Sequence, residues 1–277
     1  MRRSLALSNL LMHSESIKYE QQESIAVVRL NRPEKLNALS PDMIATLSDL
    51  FSNFEQQPDL RAVILTGSGE KAFCAGTDIS EIANAVESSK DGELNARRIS
   101  ELGQTLCNLI ENCGVPVIAA VNGIAAGGGC ELALAAHLRL VADGAQFSLP
   151  ETKLGVLPGY GGTQRLAREV GEGRALEIML TGRNVNANEA LQLGLVSRVT
   201  SAANLFAEAM ALAKEISQLA PLAIRACLKA VIDGQSLPLA DGLALETKLF
   251  ARLFETADVR EGTSAFLEKR KAVFNGD

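Results

Sequence analysis

The chain has no tryptophan, and aromatic residues make up only 4% of it, so a surface built to stack nucleic-acid bases is excluded. It also lacks a basic field. Lys and Arg number 27 against 33 Asp and Glu, for a formal charge of −6, and neither nucleic acid nor an anionic membrane surface is an expected partner. Histidine is scarce. With only His13 and His137 present, a multi-histidine metal site cannot be assembled, and no metal is expected. The five cysteines (Cys74, Cys107, Cys113, Cys130, Cys227) are odd in number and show no CxxC spacing. A reduced, cytoplasmic compartment fits them better than a disulfide framework. No apolar run reaches bilayer-spanning length; even Pro116–Ala126 is too short.

What is present is an ordinary globular balance. Hydrophobic residues are 47% and charged residues 22% of 277, enough for a sizeable core and for one or two domains. Residues 1–16 read as a frayed extension, or as the product of a start upstream of Met12. Arg2 and Arg3 followed by serines and leucines also resemble a weak organelle-targeting peptide, which leaves an organelle matrix open.

From residue 17 to about 200 the texture alternates. Ile17–Glu20 and Ser24–Leu30 are expected strands around a Gln21-Gln22-Glu23 turn, and Ser40-Pro41 is an N-cap signal opening a helix to about Phe54. Leu60–Leu65 and Pro116–Val121 read as buried strands, Asn95–Asn112 and Cys130–Ala136 as helices. The most charged stretch, Glu87–Arg98, reads as a mobile loop and helix start. Strand and helix in alternation predict an α/β core with a largely parallel sheet. Beyond Gly161 the spacing is helical, and residues 201–277 form a helical region. No internal repeat is visible.

Three constellations carry chemistry. In Val121–Leu132 (VNGIAAGGGCEL), three glycines open an apolar helix and leave its first N–H groups uncovered at the positive end of the dipole, where an oxygen gaining charge could lie. Glu131 follows Gly128 by three residues, one turn along the same face, and leans back toward the glycines. Alone, such a turn is equally a device for close helix packing. Ala72–Ile79 (AFCAGTDI) is a small-residue turn after a strand, with Asp78 also able to cap the next helix. Phe147–Arg165 is a Pro- and Gly-punctuated loop with Glu151 near its head.

Together with Asn31–Leu39 (NRPEKLNAL), Pro116–Leu134 and the tail Glu261–Phe274, these stretches resemble the crotonase (enoyl-CoA hydratase/isomerase) family, in order, from about Ile17 to Phe274. The resemblance implies a stacked ββα superhelix with a C-terminal helical trimerisation region, a homotrimer or dimer of trimers, and an acyl-CoA thioester as substrate. No separate cofactor is implied, because CoA is part of the substrate. It further implies that the amides of Thr77 and Gly128 form an oxyanion hole and that Glu131 and Glu151 are the catalytic carboxylates. Gly159 matches a position beside the reacting water. Ala75, Asp78 and Ile79 match the stretch that wraps CoA, and Phe250, Phe266 and Lys269 match C-terminal positions that reach it, often from a neighbouring subunit.

Some positions depart from the family pattern. His137 stands where many relatives have aspartate and reads as a helix C-terminal residue favouring the dipole. The segment Ser80–Asn95 is longer and more polar than in compact members, with Ser80 in place of a common lysine; Lys35 could approach the CoA phosphates, but Glu34 beside it weakens that case. Possession of both Glu131 and Glu151 favours hydration of a trans-2-enoyl-CoA over isomerisation, since isomerases usually keep one acid. Other acyl-CoA reactions share the scaffold. An RNA-binding role would want a basic helix, and Asn95–Asn112 offers only Arg97 and Arg98 against Glu101 and Glu111.

Overall fold

The computed structural model describes residues 15–78, 80, 83 and 92–277. Strands Ile17–Gln22 (β1) and Ile25–Leu30 (β2) pair antiparallel, Ile17 opposite Leu30. The turn is tighter than the sequence suggests. Gln21 and Gln22 remain in β1, and Glu23 makes the reversal with a left-handed φ of 54°. Helix Pro41–Phe54 (α1) begins as expected: Ser40 Oγ accepts from Met43 N at 3.3 Å, and Met43, Leu47, Leu50, Phe51 and Phe54 fall on one buried face.

From there the chain repeats one unit three times: a long strand, a short strand, a helix. Ala62–Gly67 (β3), Ala72–Cys74 (β4) and Gly92–Glu111 (α2) are the first; Val117–Val121 (β5), Ile124–Ala126 (β6) and Gly128–Ala135 (α3) the second; Leu138–Ala142 (β7), Gln146–Ser148 (β8) and Gly162–Val170 (α4) the third. Helix Glu172–Thr181 (α5), strand Val185–Asn186 (β9), helix Ala187–Gln192 (α6) and strand Arg198–Thr200 (β10) close the sequence of strands. The long strands form a sheet in the order β1-β2-β3-β5-β7-β10, parallel after the first hairpin, and the short ones form a second sheet, β4-β6-β8-β9. β3 and β5 are buried at every residue, which explains their unbroken apolar runs.

This is the stacked ββα coil that the resemblance implies. It has no counterpart repeat in the sequence, because each turn of the coil needs only the same element order and burial, not the same residues. The second sheet was not foreseen. Its strands span two or three residues, too few for any periodicity to register.

Two asparagines, Asn37 buried and Asn122 half-buried, fix where β4 starts. Asn37, fully buried at φ 57°, donates from Nδ2 to Ser68 O and Ala72 O and accepts from Arg32 N at Oδ1. Asn122 donates to Gly69 O and Ala72 O and accepts from Gly67 N. His137 differs from expectation. Val117 N donates to its Nδ1 at 2.8 Å, so the ring proton lies on Nε2, which bonds Glu111 O at 2.9 Å. Burial pushes its pKa down, and it is a neutral bridge between β5 and the end of α2 rather than a dipole-favouring cation. The cation at the end of α3 is Arg139, which donates to Leu134 O and Ala136 O and pairs with Glu169 at 2.6 Å.

The last helices divide in two. Leu205–Ser217 (α7) packs on β2, β3, β5 and β7. Pro221–Gly234 (α8) and Leu239–Leu253 (α9) pack on each other and contain no buried residue. Ala257–Glu268 (α10) is tied to the tail, its Asp258 carboxylate accepting from Asn275 N and Gly276 N. No helix among the described residues is long and apolar enough to cross a membrane.

Candidate active site

β4, β6 and β8 are adjacent and parallel, with Cys74 opposite Ala125 and Ala126 opposite Ser148. Their C-terminal ends therefore open on one edge of the small sheet. The residues that follow them are Ala75–Thr77, Gly127–Gly128 and Pro150–Glu151. Sheet adjacency thus gathers three segments that are far apart in the chain.

The orientation of the first amide follows from peptide planarity. Gly76 O accepts from Leu39 N at 2.7 Å, and among the described residues no peptide bond is cis, so the Thr77 N–H on the same peptide points away from Leu39. Ala75 N to Leu36 O and Asp78 N to Leu39 O, both 3.0 Å, hold the flanks. The second amide is that of Gly128, first residue of α3. The first helical bond runs from Glu131 N to Gly127 O, leaving the Gly128 N–H without an intrahelical acceptor. Among the described residues neither N–H donates to a protein group.

The two segments nest too closely for side chains. A Cβ on Gly76, already at φ 101°, would stand 2.8 Å from Ala126 O and 3.3 Å from Gly128 N. One on Gly128 would stand 3.3 Å from Thr77 Oγ1.

Glu131 lies one turn into α3 and is 1% exposed. Its Oε1 accepts from Tyr160 N at 2.8 Å and Gly162 N at 2.7 Å. Burial pushes its pKa up to about 7; the Gly162 and Tyr160 amides oppose that rise, and the neighbouring Glu151 charge adds to it. Glu151 heads a 3-10 turn, Glu151–Leu154. Its Oε1 lies 3.1 Å from the position a Cβ on Gly127 would take, while its Oε2 is buried with no hydrogen-bond partner among the described residues. Burial raises its pKa as well. A carboxylate oxygen orphaned in this way is costly unless it carries a proton or meets a reactant.

Around this centre the loop Pro158–Gly162 is clamped from two sides. Gly159 O accepts from Ser100 Oγ at 2.6 Å and Gln104 Nε2 at 3.1 Å. Arg165, bidentate to Glu111 at 3.1 and 2.7 Å, donates to Tyr160 O at 3.2 Å. The structure therefore brings Thr77, Gly128, Glu131, Glu151 and Gly159 together, with Ala75 on the same turn.

Asp78 is adjacent but engaged. Its carboxylate meets Ser80 Oγ at 2.7 Å, Arg32 at 3.1 Å and Lys35 at 3.5 Å, and the Ser80 hydroxyl, ahead of the Arg32 guanidinium, holds its pKa down to about 2. Its alternative reading as a cap for the next helix fits the bond to Ser80 N at 3.3 Å. Ile79 lies outside the described residues, as do residues 1–14 and most of the polar segment between Ser80 and Gly92. Phe250, Phe266 and Lys269 are not brought to the centre within one chain. Phe250 is 62% and Phe266 83% exposed, and Lys269 caps α10 at the surface. Sequence reasoning passed over Tyr160 and Arg165. The signal for the first was available: a tyrosine, one of two in the chain, set among three glycines.

Two uncommitted N–H donors on neighbouring turns, beside one buried and one half-buried carboxylate, can polarise a carbonyl and move protons at the carbons next to it. This chemistry and the ββα coil define the crotonase class of folds. Residues 20–277 match the enoyl-CoA hydratase/isomerase family, and the chain belongs to it. It is 41% identical over 263 residues to the crotonyl-CoA hydratase of Syntrophomonas wolfei, covering 95% of this chain and 99% of that one. With the short-chain-enoyl-CoA hydratase of Clostridium acetobutylicum the identity is 39% over 260 residues, covering 94% and 97%. Among solved structures, the enoyl-CoA hydratase of Bacillus anthracis superposes with a TM-score of 0.90 at 37% identity, over 95% of this chain and all of the other.

Proposed function

We propose that this protein is an enoyl-CoA hydratase, adding water reversibly to a trans-2-enoyl-CoA to give the 3-hydroxyacyl-CoA. The observation that carries this reading is the pair of acids, Glu131 buried and Glu151 half-buried with its Oε2 enclosed, beside two uncommitted N–H groups. The thioester oxygen sits on the Thr77 and Gly128 amides. Glu131, whose ionised form is favoured by two amide donors, takes a proton from water as its oxygen bonds C3. Electron density moves to the thioester oxygen as an enolate, and Glu151, in the protonated form that burial favours, delivers its proton to C2. The pair ends with one proton, now on Glu131. The addition is syn when both acids work on one face, and it is redox-neutral, so CoA enters only as part of the substrate.

Ala75 and Asp78, with Ile79, are assigned to CoA binding, and Gly159 to the reacting water. Phe250, Phe266 and Lys269 serve from a neighbouring subunit of a homotrimer or dimer of trimers, in keeping with their exposure in one chain. A cytoplasmic location accords with five free thiols, four of them buried.

The test is hydration of crotonyl-CoA, followed by loss of the enoyl absorbance, and then of longer thioesters. Glu131→Gln and Glu151→Gln each reduce the rate by roughly 10²–10⁴-fold while leaving CoA affinity nearly intact. Full activity in either variant refutes the two-acid mechanism.

A further inference from the structure

Tyr160 stands where three parts of this centre meet. Its ring lies against Gly103 in α2 and over Gly128: a Cβ on Gly103 would fall 2.0 Å from ring Cδ1, and one on Gly128 3.1 Å from Cδ2 and Cε2. Its hydroxyl is hydrogen-bonded at 2.9 Å to Thr77 Oγ1, and its own N–H donates to Glu131. Only 4% of the residue is exposed.

Gly103 is the informative neighbour. Glycine inside a helix costs about 1 kcal/mol relative to alanine, and position 103 has neither a positive φ nor a helix end to require it. The tyrosine ring does require it. A ring that only filled space could be phenylalanine, whereas a buried hydroxyl needs a partner. Here the partner is the side chain of the residue whose N–H faces the carbonyl. Thr77 has its peptide held on one side by Leu39. Threonine has few χ1 wells, so tying Oγ1 to Tyr160 fixes the residue from the other side.

We propose that Tyr160 is a positioning residue for the reaction: through the Tyr160–Thr77 hydroxyl pair it holds the Thr77 N–H on the thioester oxygen, while its ring closes the space behind Gly128. The proposal rests on the hydratase reading of the same centre. Oxyanion stabilisation depends on donors held in place before charge develops, so loosening one of them lowers the rate without weakening ground-state binding.

In crotonyl-CoA hydration, Tyr160→Phe keeps the ring and Thr77→Val keeps the branched shape. Each lowers kcat by roughly tenfold, below the 10²–10³ of losing a donor outright, with KM within about twofold of wild type. The double variant loses no more than either single one, since both remove the same bond. Thr77→Ser, which retains a hydroxyl, loses less than Thr77→Val. A second readout does not depend on hydration: acetoacetyl-CoA forms an enolate with its own ultraviolet band, and the bound enolate fraction drops in Tyr160→Phe and Thr77→Val. Unchanged kcat and enolate band in Tyr160→Phe, or losses that add in the double variant, overturn the proposal. A wild-type protein that hydrates no enoyl-CoA would strike down the functional reading instead. The enolate band alone would then decide for or against the hydroxyl pair.

Discussion

Glu131 combines near-complete burial with two amide donors, and the balance leaves its pKa at about 7. That value lies above the roughly 4.3 of an unfolded glutamate. Between those values the folded chain keeps a proton that the unfolded chain has released, so stability falls as pH rises through the window. Below it the group costs nothing. Above about 7 the cost is complete, at most about 4 kcal/mol. Glu131→Gln is therefore expected to melt higher than wild type at pH 8, with the gap closing toward pH 4; a variant no more stable at pH 8 would show that burial is not what raises this group. The same ionisation shapes the rate. The value of kcat/KM for crotonyl-CoA falls as pH drops below about 7, with an apparent pKa that belongs to the Glu131–Glu151 pair. An acid limb only near the ordinary carboxylate range would remove Glu131 from the role of base. Both glutamates were legible as residues. Their environments were not, since desolvation comes from chain segments far away in sequence.

At the level of elements, the site depends on how closely α3 approaches β4. A Cβ on Gly129 would fall 2.1 Å from Cys74 O, a backbone atom that cannot turn aside. Gly129→Ala gains about 1 kcal/mol of helix propensity, yet overpacking of this kind costs about 1–3 kcal/mol or more. Denaturant melts should show net loss of stability together with lower activity, because the Thr77 turn follows directly from Cys74. A stabilised variant would mean the contact can relax. Asn37 makes three hydrogen bonds, one of them to Ala72 O at the start of the same strand, and Asn37→Ala should cost on the order of 2–4 kcal/mol, read by the same melts. Helices such as α1 were readable because cap, proline and apolar stripe lie within one window of sequence. The strands β4, β6, β8 and β9 were not. Their residues become strands only by pairing with each other, and the start of β4 depends on two asparagines from distant turns.

On the scale of the whole molecule, α8 and α9 bury nothing of their own, and Phe250 and Phe254 are 62% and 59% exposed with ring centroids 5.1 Å apart. Exposed apolar surface of this kind is what the proposed trimer would cover. Light scattering should report about three or six times the chain mass, and Phe250→Glu with Phe254→Glu should lower it while the circular dichroism of the core persists. A monomeric wild type would refute the trimer reading.

The sequence by itself determined the α/β alternation, the late helical region, the glycine-headed turn before Glu131 and the family, because residue types and backbone freedom over a dozen positions are local properties. Tertiary structure decided which of those residues meet. Thr77, Gly128, Glu131 and Glu151 come together because β4, β6 and β8 are neighbours in a sheet that no local pattern encodes. The neutrality of His137, the engagement of Asp78 and the seat of Tyr160 depend on the same long-range pairing. Burial and hydrogen-bond direction exist only once the chain has closed on itself.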